Sequence, residues 1–377
     1  MRACRAVGER HREYDCQACD SGPYKQRNIT LPLEEWQAEN LLVGAGVDVK
    51  ALQLTPWAPN CTHVFAACRK DGAGSQMMAK ISAWAYSALH GGTYVHTPLA
   101  ALDHYYGDGP TPTGAAKAVE DFFNLGQDET TIQEIAAAGT PVCGAHSCFH
   151  PFDDYLDGPD CWEQVKSQLR RKYDSSPKPR SFFSRFQPPG PSIRVAVHIR
   201  RGDADMMKAT DGDRTTPNEF YVQVLQVIAA VLGNLTAGRL DVAVMSEGKP
   251  SDFQAITDAF PKAQLFLSED LLASVHTLVT ADVVVLAKSS LSYVAGIYNA
   301  GLVVYEAPWW HKPHRSWLIA DRGGLTTPGS PPPPPFNATS LQQQLGLGGN
   351  VALVANRLKA RRMTPLGNHT LSPGLAR

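Results

Sequence analysis

Short apolar runs bounded by glycine, proline or serine alternate with stretches of helical spacing along most of this chain. Thr62-His-Val-Phe-Ala-Ala67 reads as a strand, Gly72 to Ser75 as a glycine-rich turn, and Gln76 to Leu89 as an amphipathic helix that ends at Gly91-Gly92. Thr93-Tyr-Val95 is the next strand, with His96-Thr97-Pro98 at its carboxyl end, which completes a βαβ unit. A second series starts at Ile193 with the run to Ile199, followed by a helix to about Leu232 that Thr216-Pro217-Asn-Glu219 opens in the form of a capping box. Strands over 240–245, 264–267, 283–287 and 302–305 then alternate with helices over 251–260 and 271–281 and from about Ser290. Alternation of this kind predicts an α/β fold with parallel, doubly wound sheets.

At 377 residues the chain suggests two compact domains. Residues 1–60 are irregular, 61–175 form an N-terminal Rossmann-like domain, and 192–327 form a C-terminal one. The stretch 176–191 is crowded with proline, stiff and extended, and is expected to link them. Residues 328–377 read as a tail, with a polyproline stretch over Pro328–Pro335 and one basic helix over Val351–Met363.

Chemistry concentrates in Val195-Ala-Val-His198-Ile-Arg200-Arg201-Gly-Asp203, which sets two guanidinium groups just past a buried strand. Open α/β sheets bind ligands at the carboxyl ends of their strands. An arginine fork matches two phosphate oxygens at once, so this placement suggests a diphosphate site. The plain alternative is that Arg200 and Arg201 pair with Asp203 and Asp205. The tripeptide Arg201-Gly202-Asp203 also matches an adhesion signal, which needs an exposed loop.

Two more stretches complement it. Gly72-Ala-Gly74, with Gln76 after it, lacks the third glycine of a dinucleotide fingerprint and the Gly-Lys-Ser/Thr of a P-loop, and alone is a tight strand-to-helix turn. Ser289, Ser290 and Ser292 follow the apolar strand Val283–Ala287 and open the next helix, where hydroxyls, free N–H groups and the helix dipole favour an anion. A simple N-cap is the alternative. Ser246 and Glu247 sit past the 240–245 strand, at an edge where a nucleotide's base or ribose can be read, or in a solvated turn.

Taken in order, these motifs carry a resemblance. His198-Ile-Arg200-Arg201-Gly-Asp203 resembles the His-x-Arg-Arg-x-Asp motif of the GDP-fucose-dependent fucosyltransferases, the α1,2-, α1,6- and protein O-fucosyltransferase superfamily. Gly72-Ala-Gly74-Ser-Gln76 resembles their Gly-x-Gly-x-Gln loop, and Ser289-Ser290-Leu-Ser292 their Ser-Ser-x-Ser helix start. The resemblance implies a GT-B fold, two Rossmann-like domains facing a central cleft, and an inverting enzyme that moves fucose from GDP-fucose to a glycan or protein hydroxyl. It implies Arg200 as the leading β-phosphate ligand, supported by Arg201 and Ser290, with His198 and Asp203 orienting the loop. In α1,6-type relatives a Glu lies ten positions after the motif histidine, where this chain has Lys208. Asp205 is therefore the first choice of catalytic base, with Asp103 and His96 as alternatives.

Composition narrows the classes. A formal charge of −1 argues against a nucleic-acid partner, and 43% hydrophobic content suffices for real cores. No run of eighteen apolar residues occurs. Sequons at Asn28, Asn60, Asn234, Asn337 and Asn368 number five, where chance gives roughly one or two, and point to the secretory lumen, the Golgi first. All eight cysteines lie within the first 161 residues; Cys61/Cys68 and Cys143/Cys148 are plausible local bridges, while Cys16-Gln-Ala-Cys19 has no second half to complete a zinc site. The first residues lack a signal-peptide core, so any membrane tether is expected to be an anchor absent from this sequence. Asp203-Ala-Asp205 and Asp211-Gly-Asp213 match the DxD string of metal-dependent transferases, but the arginine pair already supplies positive charge, so no metal or other cofactor is expected. Two rivals stay in view, an enzyme of another GDP-sugar and a noncatalytic glycan-binding or adhesion protein.

Overall fold

A computed structural model describes residues 54–55, 62–66, 72–99, 101–102, 111–145, 161–183, 192–206, 215–307, 309, 311, 313–321 and 337–363. The chain divides into two compact units. One comprises Met1–Pro179, Lys288–Tyr298 and Trp309–Ser316, the other Arg180–Ala287, Asn299–Pro308 and Trp317–Arg377. The break after Pro179 falls inside the proline-rich 176–191 stretch. Of the expected 1–60 region, only Leu54–Thr55 lies among the described residues.

The first unit carries a wholly parallel sheet of β1 (Leu54–Thr55), β2 (His63–Ala66), β3 (Thr93–His96), β4 (Thr130–Thr131) and β5 (Val142–Ala145), ordered β1-β5-β2-β3-β4. Helix α1 (Ala73–His90) returns the chain from β2 to β3, and α2 (Pro112–Phe123), α3 (Ile132–Ala138) and α4 (Cys161–Ser175) follow. Met77, Met78 and Ile81 of α1 bury against the unit's core together with Val64, Phe65 and Val95. Phe122 and Phe123 are core as well, their rings 5.5 and 5.7 Å from that of Tyr173. Cys143 on β5 is disulfide-bonded; Cys148 lies outside the described residues.

The second unit carries β6 (Ile193–His198), β7 (Leu240–Ser246), β8 (Gln264–Leu267), β9 (Val283–Val285), β10 (Leu302–Ala307) and β11 (Leu318–Asp321), all parallel and ordered β11-β10-β9-β6-β7-β8. Counted within the unit, this is the order 3-2-1-4-5-6 of doubly wound nucleotide-binding sheets. The chain leaves β6 in one direction, through β7 and β8, and returns to its other side at β9. The helices here are α5 (Arg180–Phe183), α6 (Asp203–Met206), α7 (Asn218–Leu232), α8 (Gln254–Ala259) and α9 (Leu271–Thr280). With a following 3-10 turn, α7 spans Asn218–Thr236 and is long and apolar enough to cross a membrane; half of that window is buried, and Phe220, Tyr221, Val224, Leu225 and Ile228 join the core of the unit.

Two expectations are corrected. The helix α10 (Ser290–Tyr298) follows β9 in the chain but belongs to the first unit, not to the C-terminal domain. Among the described residues beyond 327, the expected Val351–Met363 helix is present as α12 (Gly348–Met363), but it and α11 (Ala338–Gly346) are not a tail: they bury Leu341, Leu345, Val354 and Leu358 in the second unit's core. The basic face of α12 is partly spent, since Arg357 donates to Asp282 Oδ1 at 3.4 Å and to the Ala281 carbonyl at 3.1 Å. Pro328–Pro335 lies outside the described residues.

Helix α1 starts at Ala73, so the expected Gly72–Ser75 turn is instead the helix's first turn. Gly74 in that turn has a steric requirement. A Cβ on Gly74 would stand 2.2 Å from Leu291 N and 2.5 Å from Ser290 C, because the first turn of α10 lies against α1 at this point. Gly72 has ordinary φ and nothing within 4 Å of such a Cβ. Gly74→Ala is therefore expected to destabilise the protein by roughly 1–3 kcal/mol through overpacking, and Gly72→Ala by less than about 0.5 kcal/mol. Denaturant melts of the two variants check this contrast.

Candidate functional site

The pleat of β6 sorts its side chains. Ile193, Val195, Val197 and Ile199 fill the apolar core, which leaves Arg194, Ala196 and His198 on the opposite face. After His198 the chain turns out at the carboxyl edge of the sheet, with β7 on one side and β9 on the other. The Arg200-Arg201 loop thus sits where strand order reverses, the position at which sheets of this order bind ligands. Ile199 N–H donates to the Met245 carbonyl at 3.0 Å and Ser246 Oγ donates to the Ile199 carbonyl at 2.7 Å, so the end of β7 pins the root of the loop. Ser246, expected to read a nucleotide, spends its hydroxyl on this brace.

The two arginines have different environments. Arg200 donates through Nη2 to both oxygens of Asp203, at 3.0 and 2.8 Å, with side-chain exposures of 23% and 16%. The plain ion pair considered from sequence is present, and it also aims the guanidinium. Arg201 turns into the protein: Nη1 donates to the Arg200 carbonyl at 2.9 Å, and Nη2 to the Thr216 carbonyl at 2.9 Å and to Asn218 Oδ1 at 2.8 Å. Its fork braces the loop against the start of α7. Gly202 follows at φ +66, a left-handed backbone conformation that strains any side chain, so this turn favours glycine. Because Arg201 and Asp203 are both engaged and half-buried, the exposed loop that an adhesion tripeptide needs is not found at Arg201-Gly202-Asp203.

The expected capping box at α7 does not form. Pro217 is the N-cap residue and makes no side-chain cap bond. The Thr216 hydroxyl instead faces Glu306, donating toward Oε1 at 2.6 Å and Oε2 at 2.7 Å, with both residues 2% exposed. Glu306 lies near the carboxyl end of β10 on the same face as Leu302 and Val304, which belong to the core. Sequence reasoning passed over it. The available signal was an acidic residue continuing an apolar strand face to the ligand-binding edge of the sheet.

The remaining predicted residues divide between the units. His198, Arg200, Arg201, Asp203 and Ser246 gather on the second. Gly72, Gly74, Gln76, Ser289, Ser290 and Ser292 belong to the first, where Gln76, Ser289 and Ser292 are buried. The Ser289 carbonyl accepts the first bond of α10 from Tyr293 N–H at 2.9 Å, which puts Ser289 at the N-cap position. Asp205 lies on α6, its side chain outside the described residues, as are Asp103, Lys208, Asp211 and Asp213. His96 is not a ready base. Its Nε2 is 3.3 Å from Glu120 Oε2 and its Nδ1 3.3 Å from the Tyr94 hydroxyl, so both ring nitrogens are occupied in a buried position.

No family model and no curated protein matches the chain. Among solved structures it is similar to the alpha-1,6-fucosyltransferase NodZ of Bradyrhizobium soaked with GDP-fucose, at TM-score 0.33 and 15% identity over 63% of this chain and 92% of that one. It is also similar to the E. coli heptosyltransferase WaaC with ADP, at TM-score 0.33 and 12% identity over 78% of this chain and 99% of the other. POFUT1 in complex with GDP gives a TM-score of 0.25 and 16% identity over 66% and 75%. Likeness at this level assigns neither a donor nor a site.

His198 has a defined protonation state. Its Nδ1 is buried without a hydrogen-bond partner, and burial first, then the Arg200 charge, pull its pKa down to about 3. The unfolded chain therefore binds a proton on His198 from about pH 6.5 downward that the folded chain refuses until about pH 3. The linked stability is fully present above 6.5 and is lost as pH falls through this window. The ring resonances of His198 are expected to show no titration between pH 8 and 5 by NMR, and His198→Asn to make stability less pH-dependent below 6.5; a His198 midpoint near 6.5 would contradict the assignment.

Proposed function

We propose that this chain is an inverting glycosyltransferase of GT-B type that moves fucose from GDP-fucose to a hydroxyl of a glycan or protein. One observation carries the reading: Arg200, gripped by Asp203, stands on a loop at the carboxyl edge of β6, where the strand order reverses. The motif resemblance over His198–Asp203 supplies the donor class. As the bond between the sugar C1 and the β-phosphate oxygen opens toward an oxocarbenium-like state, its electron pair stays with GDP. A fixed guanidinium at that oxygen stabilises the charge as it develops and needs no metal. The acceptor hydroxyl attacks C1 from the opposite face and gives its proton to a base, for which Asp205 is the proposed group. Gly72, Gly74, Gln76 and the 289–292 serines are proposed as donor contacts on the motif resemblance alone. The lumen of the secretory pathway is the proposed compartment, supported by the five sequons.

A second reading, an enzyme of another GDP-sugar, shares every one of these features. A panel of nucleotide sugars assayed in excess chelator separates the two, with turnover of GDP-fucose expected to exceed that of the others. Within this assay, Arg200→Ala is expected to lose about a hundredfold in rate, on the order of 3 kcal/mol of transition-state stabilisation. Arg200→Lys should recover only part, because one ammonium cannot reproduce the fork. Parental turnover in Arg200→Ala would remove the site assignment, and turnover restored only by added manganese or magnesium would remove the metal-free mechanism.

Asp205→Asn tests the base. A group that acts only on the acceptor proton lowers kcat while leaving GDP affinity near the parent's. Loss of GDP affinity instead would reassign Asp205 to support of the donor loop.

A further inference from the structure

We infer that Glu306 is a positioning residue for the Arg200 loop, acting through Thr216; its role in turnover rests on the donor-site reading above, whereas its role in ordering the loop does not. A buried carboxylate is costly unless its oxygens are satisfied, and an apolar residue would fit the Leu302–Val304 face at less cost. Its retention here has a geometric counterpart. Glu306 takes the Thr216 hydroxyl at 2.6 and 2.7 Å, and in doing so draws Thr216 away from the N-cap role that its place before Pro217 and Asn218 offers. Thr216 so held presents its carbonyl to Arg201 Nη2 at 2.9 Å. Arg201 in turn reaches back to the Arg200 carbonyl at 2.9 Å, closing the loop on itself. The connection runs from β10 to the first residue of the motif's arginine pair in three bonded steps.

The relay has a consequence that simple packing does not. Removing the carboxylate frees Thr216, loosens the carbonyl that holds Arg201, and widens the range of positions open to the adjacent Arg200, while the hydrogen bonds along β6 stay in place. Glu306→Gln keeps an oxygen to accept the Thr216 hydroxyl and should behave much like the parent.

The experiment uses the full chain without ligand and measures amide hydrogen exchange by NMR in Glu306→Ala, Glu306→Gln, Thr216→Val and the Glu306→Ala/Thr216→Val double variant. Expected are exchange rates at Arg201 and Gly202 at least tenfold faster in Glu306→Ala and in Thr216→Val, no further gain in the double variant, near-parental rates in Glu306→Gln, and unchanged exchange at Val195–Val197. Equal exchange at Arg201 and Gly202 in Glu306→Ala and parent overturns the inference. So does a rise spread evenly over β6, which marks a general loss of packing. A second arm titrates GDP. Affinity about tenfold weaker in Glu306→Ala and recovered in Glu306→Gln supports the inference. Equal affinity in parent and Glu306→Ala overturns it while leaving the donor reading intact. No GDP binding by the parent overturns the donor reading, and the exchange rates then decide the ordering role by themselves.

Discussion

The second unit depends on one strand, β6, paired on both edges. β6 is hydrogen-bonded in parallel to β7 on one side and to β9 on the other, with Val195, Ala196 and Val197 in register with strands from both directions. A strand in this position is covered on both edges and must be apolar on its core face, which Ile193, Val195, Val197 and Ile199 satisfy. Its carboxyl end is also the place where two chain directions diverge and leave a gap. Residues just past it are held at the root by the sheet, through Ile199 to Met245 and Ser246 to Ile199, which fixes where the charged loop begins.

The loop itself shows how a cationic group is held in position. Asp203 takes one terminal nitrogen of Arg200, and the pair remains partly exposed, so its contribution to stability is small. Arg201 carries the structural work, satisfying two backbone carbonyls and Asn218. Of two adjacent identical side chains, Arg201 is thus the brace, and Arg200 is the one proposed to meet the donor.

Elements with a strong period were legible in the sequence, and the ends of those elements were not. The alternation of β6 and the valine run of β9 gave their strands directly, and parallel pairing followed from the intervening helices. Thr216 misled because its local pattern, threonine and then glutamate three positions on, favours a capping box, while the competing partner, Glu306, lies ninety residues away in sequence. Gly74 misled in the same way: a glycine-rich stretch after a strand suggests a turn, but the contact that requires glycine there is with the backbone at Ser290 and Leu291. The region after residue 327 was read as a tail because its proline run and basic residues dominate composition. The two pairs Leu341/Leu345 and Val354/Leu358, each spaced by four, were the signal that it closes a core. Where a side chain's strongest partner is distant, no local window shows it.

The interleaved path of the chain has a bearing on how the protein is made. Translation runs from the amino end, yet the first unit takes in Lys288–Tyr298 and Trp309–Ser316, and the second takes its last core residues from α11 and α12. Neither unit is a contiguous stretch that can be finished and set aside while the rest is synthesised. The β6 to β9 sheet will have left the ribosome well before Leu358 arrives, so the part of its apolar face that α11 and α12 cover stays open to solvent or to a chaperone for that interval. Truncation shortly after β11 would therefore leave a nascent chain with most of its secondary structure encoded and an unsealed core.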